Sequence, residues 1–106
     1  MDARTDGGEK VFAEEVEEAL KLHPSVEDAL VFGWPSTRFG QVVVAVVELL
    51  AAADEEDLRA HVRARLADYK SPRRVVSVRH VPRLANGKPD YAHARAYAAP
   101  FLRDVI

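Results

Sequence analysis

Apolar residues recur at two different periods along this chain of 106 residues, and the change of period divides it into elements. Phe12, Val16, Ala19, Leu20 and His23 fall three and four apart, one stripe of a helical surface, and predict a helix over residues 13–22. Glutamates in its first turn suit the positive end of the helix dipole, and Pro24 ends it because the residue before a proline avoids helical geometry. Ala29-Leu30-Val31-Phe32 is a short continuous apolar run that predicts a buried strand, closed by Gly33-Trp34-Pro35-Ser36. Val42 to Val47 is rich in β-branched residues and predicts a second strand. Leu58, Val62, Leu66 and Tyr69 return to helical spacing, so a second helix is expected over residues 55–67, with Asp54 as its N-cap and Asp57 three residues on. Ser71-Pro72 breaks it. Arg73 to Val78 predicts a third strand, Pro82 to Pro89 a loop, and Asp90 the cap of a last short helix reaching Tyr97. The order helix, strand, strand, helix, strand, helix implies an α+β fold, a small three-stranded sheet covered by helices.

Composition narrows the class. The length fits one domain, which buries roughly two-thirds of its unfolded surface. That is enough for a modest core and too little to enclose several ligands together. Hydrophobic residues make up 48% and charged residues 30%, the balance of a soluble globular chain. No apolar stretch approaches the roughly 18 residues that span a membrane, the polar start Met1-Asp2-Ala3-Arg4-Thr5-Asp6 has no signal-peptide pattern, and a cytoplasmic location is expected. With no cysteine, disulfide and thiolate chemistry are excluded. A net charge of −2 speaks against a general nucleic-acid binder. The charges are uneven, however: Glu14, Glu15, Glu17 and Glu18 crowd the first helix, read as a solvated face, whereas Lys70, Arg73, Arg74, Arg79 and Arg83 gather later.

Two short segments could carry chemistry. Asn86-Gly87 favours a tight turn because both residues tolerate positive φ, and such a turn projects Lys88 outward as an exposed cation. On its own this is equally an ordinary solvated lysine. Gly7-Gly8 permits backbone positions closed to other residues and the close approach of a ligand, or is simply a flexible terminus. His23, His61, His80 and His93 are scattered without ligand spacing, so no metal site is expected. Trp34 and Phe39 flank a turn and are read as packing residues.

Taken in order, five segments resemble the C-terminal domain of adenylate-forming acyl-CoA synthetases. Gly7-Gly8-Glu9-Lys10-Val11-Phe12 with Glu14-Glu15-Val16-Glu17 resembles the opening of that domain. His23-Pro24-Ser25-Val26-Glu27-Asp28-Ala29 resembles the helix exit and first strand. Gly33-Trp34-Pro35 with Phe39-Gly40-Gln41 resembles the next turn. Leu66-Ala67-Asp68-Tyr69-Lys70-Ser71-Pro72-Arg73 and Val81-Pro82-Arg83-Leu84-Ala85-Asn86-Gly87-Lys88 are similar to the family's tyrosine–lysine segment and its lysine loop. The resemblance covers residues 7–97. It divides the chain into a lead-in at 1–6, the domain at 7–99 and a C-terminal tail at 100–106.

The resemblance implies a two-step ligase. A carboxylic acid attacks the α-phosphate of ATP to give an acyl-adenylate and pyrophosphate, and the thiol of CoA then displaces AMP, the small domain rotating between steps. Lys88 falls at the position of the catalytic lysine, with Asn86 and Gly87 shaping its loop. A fixed ammonium there offsets the repulsion between two anions and holds the attack in line. Gly7 and Gly8 match the pantetheine path, with Glu9 and Lys10 beside it. Lys70, Arg73 and Arg74 are candidates for CoA-phosphate or interdomain contacts, against the alternative of a solvated edge. ATP and Mg2+ would be bound mainly by a larger N-terminal domain, the partner of this one. The isolated chain is therefore expected to be inactive in the full reaction, either as an excised domain or as a separate subunit. Fatty or other bulky hydrophobic acids are the expected substrates. Residues 1–6 match no hinge segment, leaving Asp2, Arg4 and Asp6 as hinge candidates by position alone. Acetylation of Lys88 would remove the charge that the first step needs. The competing classes are a non-catalytic module of the same fold that binds a protein, the C-terminal domain of a related adenylation enzyme, and a nucleic-acid binder using the basic cluster.

Overall fold

The computed structural model describes residues 13–106. Helix α1 occupies residues 13–21 and is followed by β1 (Val26–Ser36) and β2 (Gly40–Leu49). Helix α2 (Glu55–Arg63) and a 3₁₀ turn (Asp68–Lys70) lead to β3 (Arg74–Val78), and α3 (Tyr91–Ala98) runs into a second 3₁₀ turn (Ala99–Phe101). The sheet order is β1-β2-β3: β1 and β2 form an antiparallel hairpin, and β2 and β3 are parallel across the α2 crossover. The expected α+β sheet is present, and both of its faces are covered.

The period of two places the core. Successive strand side chains point to opposite faces, so Ala29 and Val31 look one way and Leu30 and Phe32 the other. On one face Ala29, Val31, Ala45, Val47 and Val75 meet Ala13, Val16 and Leu20 of α1 and Leu58 and Val62 of α2. On the other, Leu30, Phe32, Val44, Val46 and Val76 meet Val81, Ala94, Ala98 and Leu102. The central strand is therefore apolar on both faces, which is why Val42 to Val47 reads as a continuous run.

Both expected caps form. The Asp54 carboxylate accepts from the Asp57 N–H at 2.8 Å, and Asp90 accepts from the His93 N–H at 3.2 Å. Several expected boundaries move, β2 for one running Gly40–Leu49 rather than Val42 to Val47. Helix α2 ends at Arg63 rather than at 67, although the Leu66 N–H still donates to the Val62 carbonyl at 2.9 Å and Leu66 still packs on the core. Strand β1 does not stop at Gly33 but continues through Pro35 to Ser36. It is an edge strand, and Pro35 shares the outward phase of Val31, so its missing N–H costs no ladder bond.

Residues 100–106 pack back onto the sheet. Leu102 is buried, the Ser36 hydroxyl donates to the Ile106 carbonyl, and Arg74 Nη1 donates to the Phe101 carbonyl at 2.7 Å. Among the described residues no helix is long and apolar enough to cross a membrane.

Candidate functional site

Lys88 lies on a turn that the chain closes on itself. The Leu84 N–H donates to the Lys88 carbonyl and the Gly87 N–H to the Leu84 carbonyl, both at 2.8 Å, while Arg83 and Pro89 pair as a single antiparallel bridge. Gly87 has φ +87°, a left-handed conformation that glycine adopts without strain. The Asn86 side chain accepts from the Lys88 N–H at 3.1 Å. Asn86 and Gly87 thus shape this loop, and Lys88 is exposed at its end.

Side chains on both flanks tie the turn to the sheet. On one side Arg83 donates through Nε and Nη2 to the two carboxylate oxygens of Asp28, each at 2.8 Å, and through Nη1 to the Gly87 carbonyl at 3.1 Å. Asp28 sits where β1 begins, beside the register irregularity at Val26 and Asp28. The hydrogen bond from Arg83 holds its carboxyl below the usual aspartate range. On the other side, just past Asp90, the Tyr91 hydroxyl donates to Glu17 Oε2 at 2.8 Å.

Glu17 corrects the reading of the glutamate run as a solvated face. Glu14, Glu15 and Glu18 are exposed, but Glu17 is 7% exposed, and its Oε2 also accepts from the Val31 N–H at 2.8 Å. Burial raises its pKa, against the lowering effect of those two hydrogen bonds, and burial beside Glu17 raises that of Tyr91. Spacing held the signal: Glu17 is four residues after Ala13 and three before Leu20, inside the apolar stripe.

Two of the three basic candidates after α2 are internally paired. Lys70 Nζ lies 2.6 Å from Glu15 Oε1. Arg74 donates to Glu55 at 2.7 Å and to Asp104 at 2.6 Å. Arg73 instead lays its guanidinium over the Phe39 ring, 4.9 Å from its centre, with Arg38 at 5.0 Å. Phe39, expected to pack, is half exposed between these cations, whereas Trp34 does pack beside Phe32. Arg59, Arg73 and Arg74 line an open depression of about 290 Å³ with Asp104, Val105 and Ile106. Gly7, Gly8, Glu9 and Lys10 lie outside the described residues.

Two of the histidines make internal contacts. His23 accepts from the Ser25 N–H through Nδ1 at 3.0 Å and meets Asp57 through Nε2 at 3.0 Å, and His61 Nε2 contacts the Ala19 carbonyl at 2.7 Å. Among the described residues no three His, Asp or Glu side chains converge on one point. Lys88 is a cation that the chain itself brings.

A family model described as the AMP-binding enzyme C-terminal domain matches residues 15–88, its match ending at Lys88. The chain is 50% identical over 94 residues to a medium-chain acyl-CoA ligase of Mycobacterium avium, covering 87% of this chain and 17% of that one. Among solved structures it resembles an amide bond synthetase from Marinactinospora thermotolerans, with a TM-score of 0.73 and 41% identity over 80% of this chain and 18% of that one. It also resembles ATP-bound MatB from Rhodopseudomonas palustris, with a TM-score of 0.76 and 28% identity over 86% of this chain and 18% of that one. The chain thus spans less than a fifth of the proteins it matches.

Proposed function

The chain belongs to the AMP-binding enzyme C-terminal domain family, and from that premise we propose that it supplies Lys88 to the adenylate-forming step of an ATP-dependent acyl-CoA ligase. The observation that carries this reading is the presentation of Lys88: an exposed ammonium on a self-closed turn, anchored by Arg83 to β1 and standing where the family match ends.

In the first half-reaction a carboxylate oxygen forms a bond to the α-phosphorus of ATP as the bond to pyrophosphate breaks. Two anions must meet for this to happen. Lys88 bonds the carboxylate and the phosphate-side oxygens together, reducing their repulsion and setting the line of attack. In the second half-reaction the CoA sulfur forms the thioester bond, and AMP leaves with the electron pair of the broken acyl–phosphate bond. Gly7 and Gly8, with Glu9 and Lys10, would line the way for the pantetheine arm. Lys70, Arg73 and Arg74 remain the candidates for phosphate or interdomain contact on the basic edge, with Lys70 and Arg74 also holding carboxylates of this domain. The acid and ATP pockets belong to the larger N-terminal partner, and a medium-chain or longer hydrophobic acid is the substrate we favour, in line with the M. avium relative.

The test is Lys88→Ala in the intact enzyme. Acid-dependent ATP–pyrophosphate exchange should collapse, while thioester formation from a preformed acyl-adenylate persists. Equal loss in both half-reactions would remove the assigned division of labour. A second reading follows from the amide bond synthetase similarity: the same adenylate could be captured by an amine. Offering CoA and amines in turn to the loaded enzyme separates the two.

A further inference from the structure

We propose that Arg83, braced by Asp28, is a positioning residue for Lys88: it fixes the carbonyl that precedes Lys88 to the sheet and so sets where the ammonium stands during adenylation. This rests on the assignment of Lys88 made above.

The turn from Leu84 to Lys88 is closed by its own backbone bonds, but those bonds fix only its internal shape. What fixes it in space on the Arg83 flank is a side chain. The Arg83 guanidinium is a planar fork, and here its two functions are divided. Nε and Nη2 grip both oxygens of Asp28, and Nη1 reaches the Gly87 carbonyl. Asp28 is itself held, because its Oδ1 accepts from the Ala29 N–H at 2.9 Å at the start of a strand whose next residues are fully buried. One path from Lys88 to rigid structure therefore runs Gly87 carbonyl, Arg83, Asp28, β1. A lysine side chain is long, so a small rotation about the Gly87–Lys88 peptide moves the ammonium much further than it moves the backbone.

Two consequences distinguish positioning from plain stabilisation. Exposed ion pairs contribute little to stability, so losing Arg83 should leave the domain folded. Misplacing a reacting group, by contrast, lowers rate steeply. Lysine cannot replace Arg83, since a single ammonium lacks the fork that spans a carboxylate and a carbonyl at once.

The experiment measures both half-reactions in the intact enzyme for Arg83→Ala, Asp28→Asn, Lys88→Ala and the Arg83→Ala/Lys88→Ala pair. Arg83→Ala should lower ATP–pyrophosphate exchange by up to about 100-fold, the scale of a misplacement near 1 Å. Thioester formation from preformed adenylate should not change. Asp28→Asn should follow in the same direction to a smaller degree, and provides a milder variant. In the Lys88→Ala background Arg83→Ala should cost nothing more, because a residue that acts through Lys88 has nothing left to position. Normal exchange in Arg83→Ala, equal loss in both half-reactions, or an undiminished further loss on top of Lys88→Ala would each overturn the proposal. Should Lys88→Ala itself exchange normally, the functional assignment fails and this inference with it. Impaired Lys88→Ala beside normal Arg83→Ala sinks the inference alone.

Discussion

Glu17 should be worth more to this fold than its place in a run of acidic residues implies. Replacing it by alanine removes the acceptor of two hydrogen bonds at once, from the Val31 N–H and the Tyr91 hydroxyl, both at 2.8 Å. Val31 is 2% exposed, so its N–H has no ready substitute in water. Each donor left unsatisfied costs about 1–3 kcal/mol, and relief of the carboxylate's own burial offsets part of the sum, leaving a net loss of about 3 kcal/mol. For a chain of this size, with a urea m-value of about 1.5 kcal/mol per molar, the midpoint should fall by about 2 M. Tyr91→Phe keeps the ring and deletes one bond, so it should cost about 1 kcal/mol. The double variant should cost less than the two singles together, since the same bond cannot be lost twice. The sign of the pH dependence follows from burial, which raises the pKa of Glu17 in the folded state. Folding then favours the protonated form: the stability this confers is fully present below the unfolded glutamate pKa and is lost as pH rises through the folded value. Glu17→Gln removes that component, so its stability relative to the parent should improve as pH rises through the window. Urea titrations of the parent and these four variants at several pH values decide the matter. A Glu17→Ala cost under about 1 kcal/mol, or strict additivity with Tyr91→Phe, would refute the reasoning.

Asp28 should behave in the opposite sense. Its pKa is lowered chiefly by the hydrogen bond from Arg83, so the stability it confers is present above the unfolded aspartate pKa and is lost as pH falls through the folded value. The stability gap between the parent and Asp28→Asn should therefore shrink on acidification, read as converging urea midpoints. Leu20→Ala empties a fully buried position between α1 and the sheet, and calorimetry should show a loss of about 3 kcal/mol. At Gly87 an added Cβ meets nothing within 4 Å, so Gly87→Ala should cost only the backbone term of about 1–2 kcal/mol at positive φ. Asparagine should be tolerated there better than alanine.

Much of this architecture was legible because each element obeys one period. The double-faced apolar run in β2, the helical stripes of α1 and α2, and the two aspartate caps are all local signals, and the structure contains each of them. The Asn86-Gly87 turn was equally local. What escaped is what depends on a distant partner. Asp28 and Arg83 are 55 residues apart, and nothing near either one announces the other. Glu17 was grouped with its acidic neighbours, although its place in the stripe set it apart. Pro35 was read as a stop because its effect depends on which side of β1 is open, a property of the sheet rather than of the segment. Likewise Lys70 and Arg74 form part of one basic cluster in the sequence, while in space each faces a carboxylate.

A three-stranded sheet has two open sides for very little sheet, and both are occupied here. Along β1 the Val31 N–H is taken by Glu17, the Gly33 carbonyl by Arg95 at 2.6 Å, and Pro35 has no N–H to offer. Along β3 the Val75 N–H is taken by Glu55 at 2.7 Å. A neighbouring molecule that sought to add a strand would have to displace charged side chains from bonds they already make. Such blocking is how small sheets avoid growing into aggregates, and it makes the association state a second readout of Glu17. Its alanine variant should scatter more light at high concentration than Leu20→Ala, even where the two unfold at similar urea.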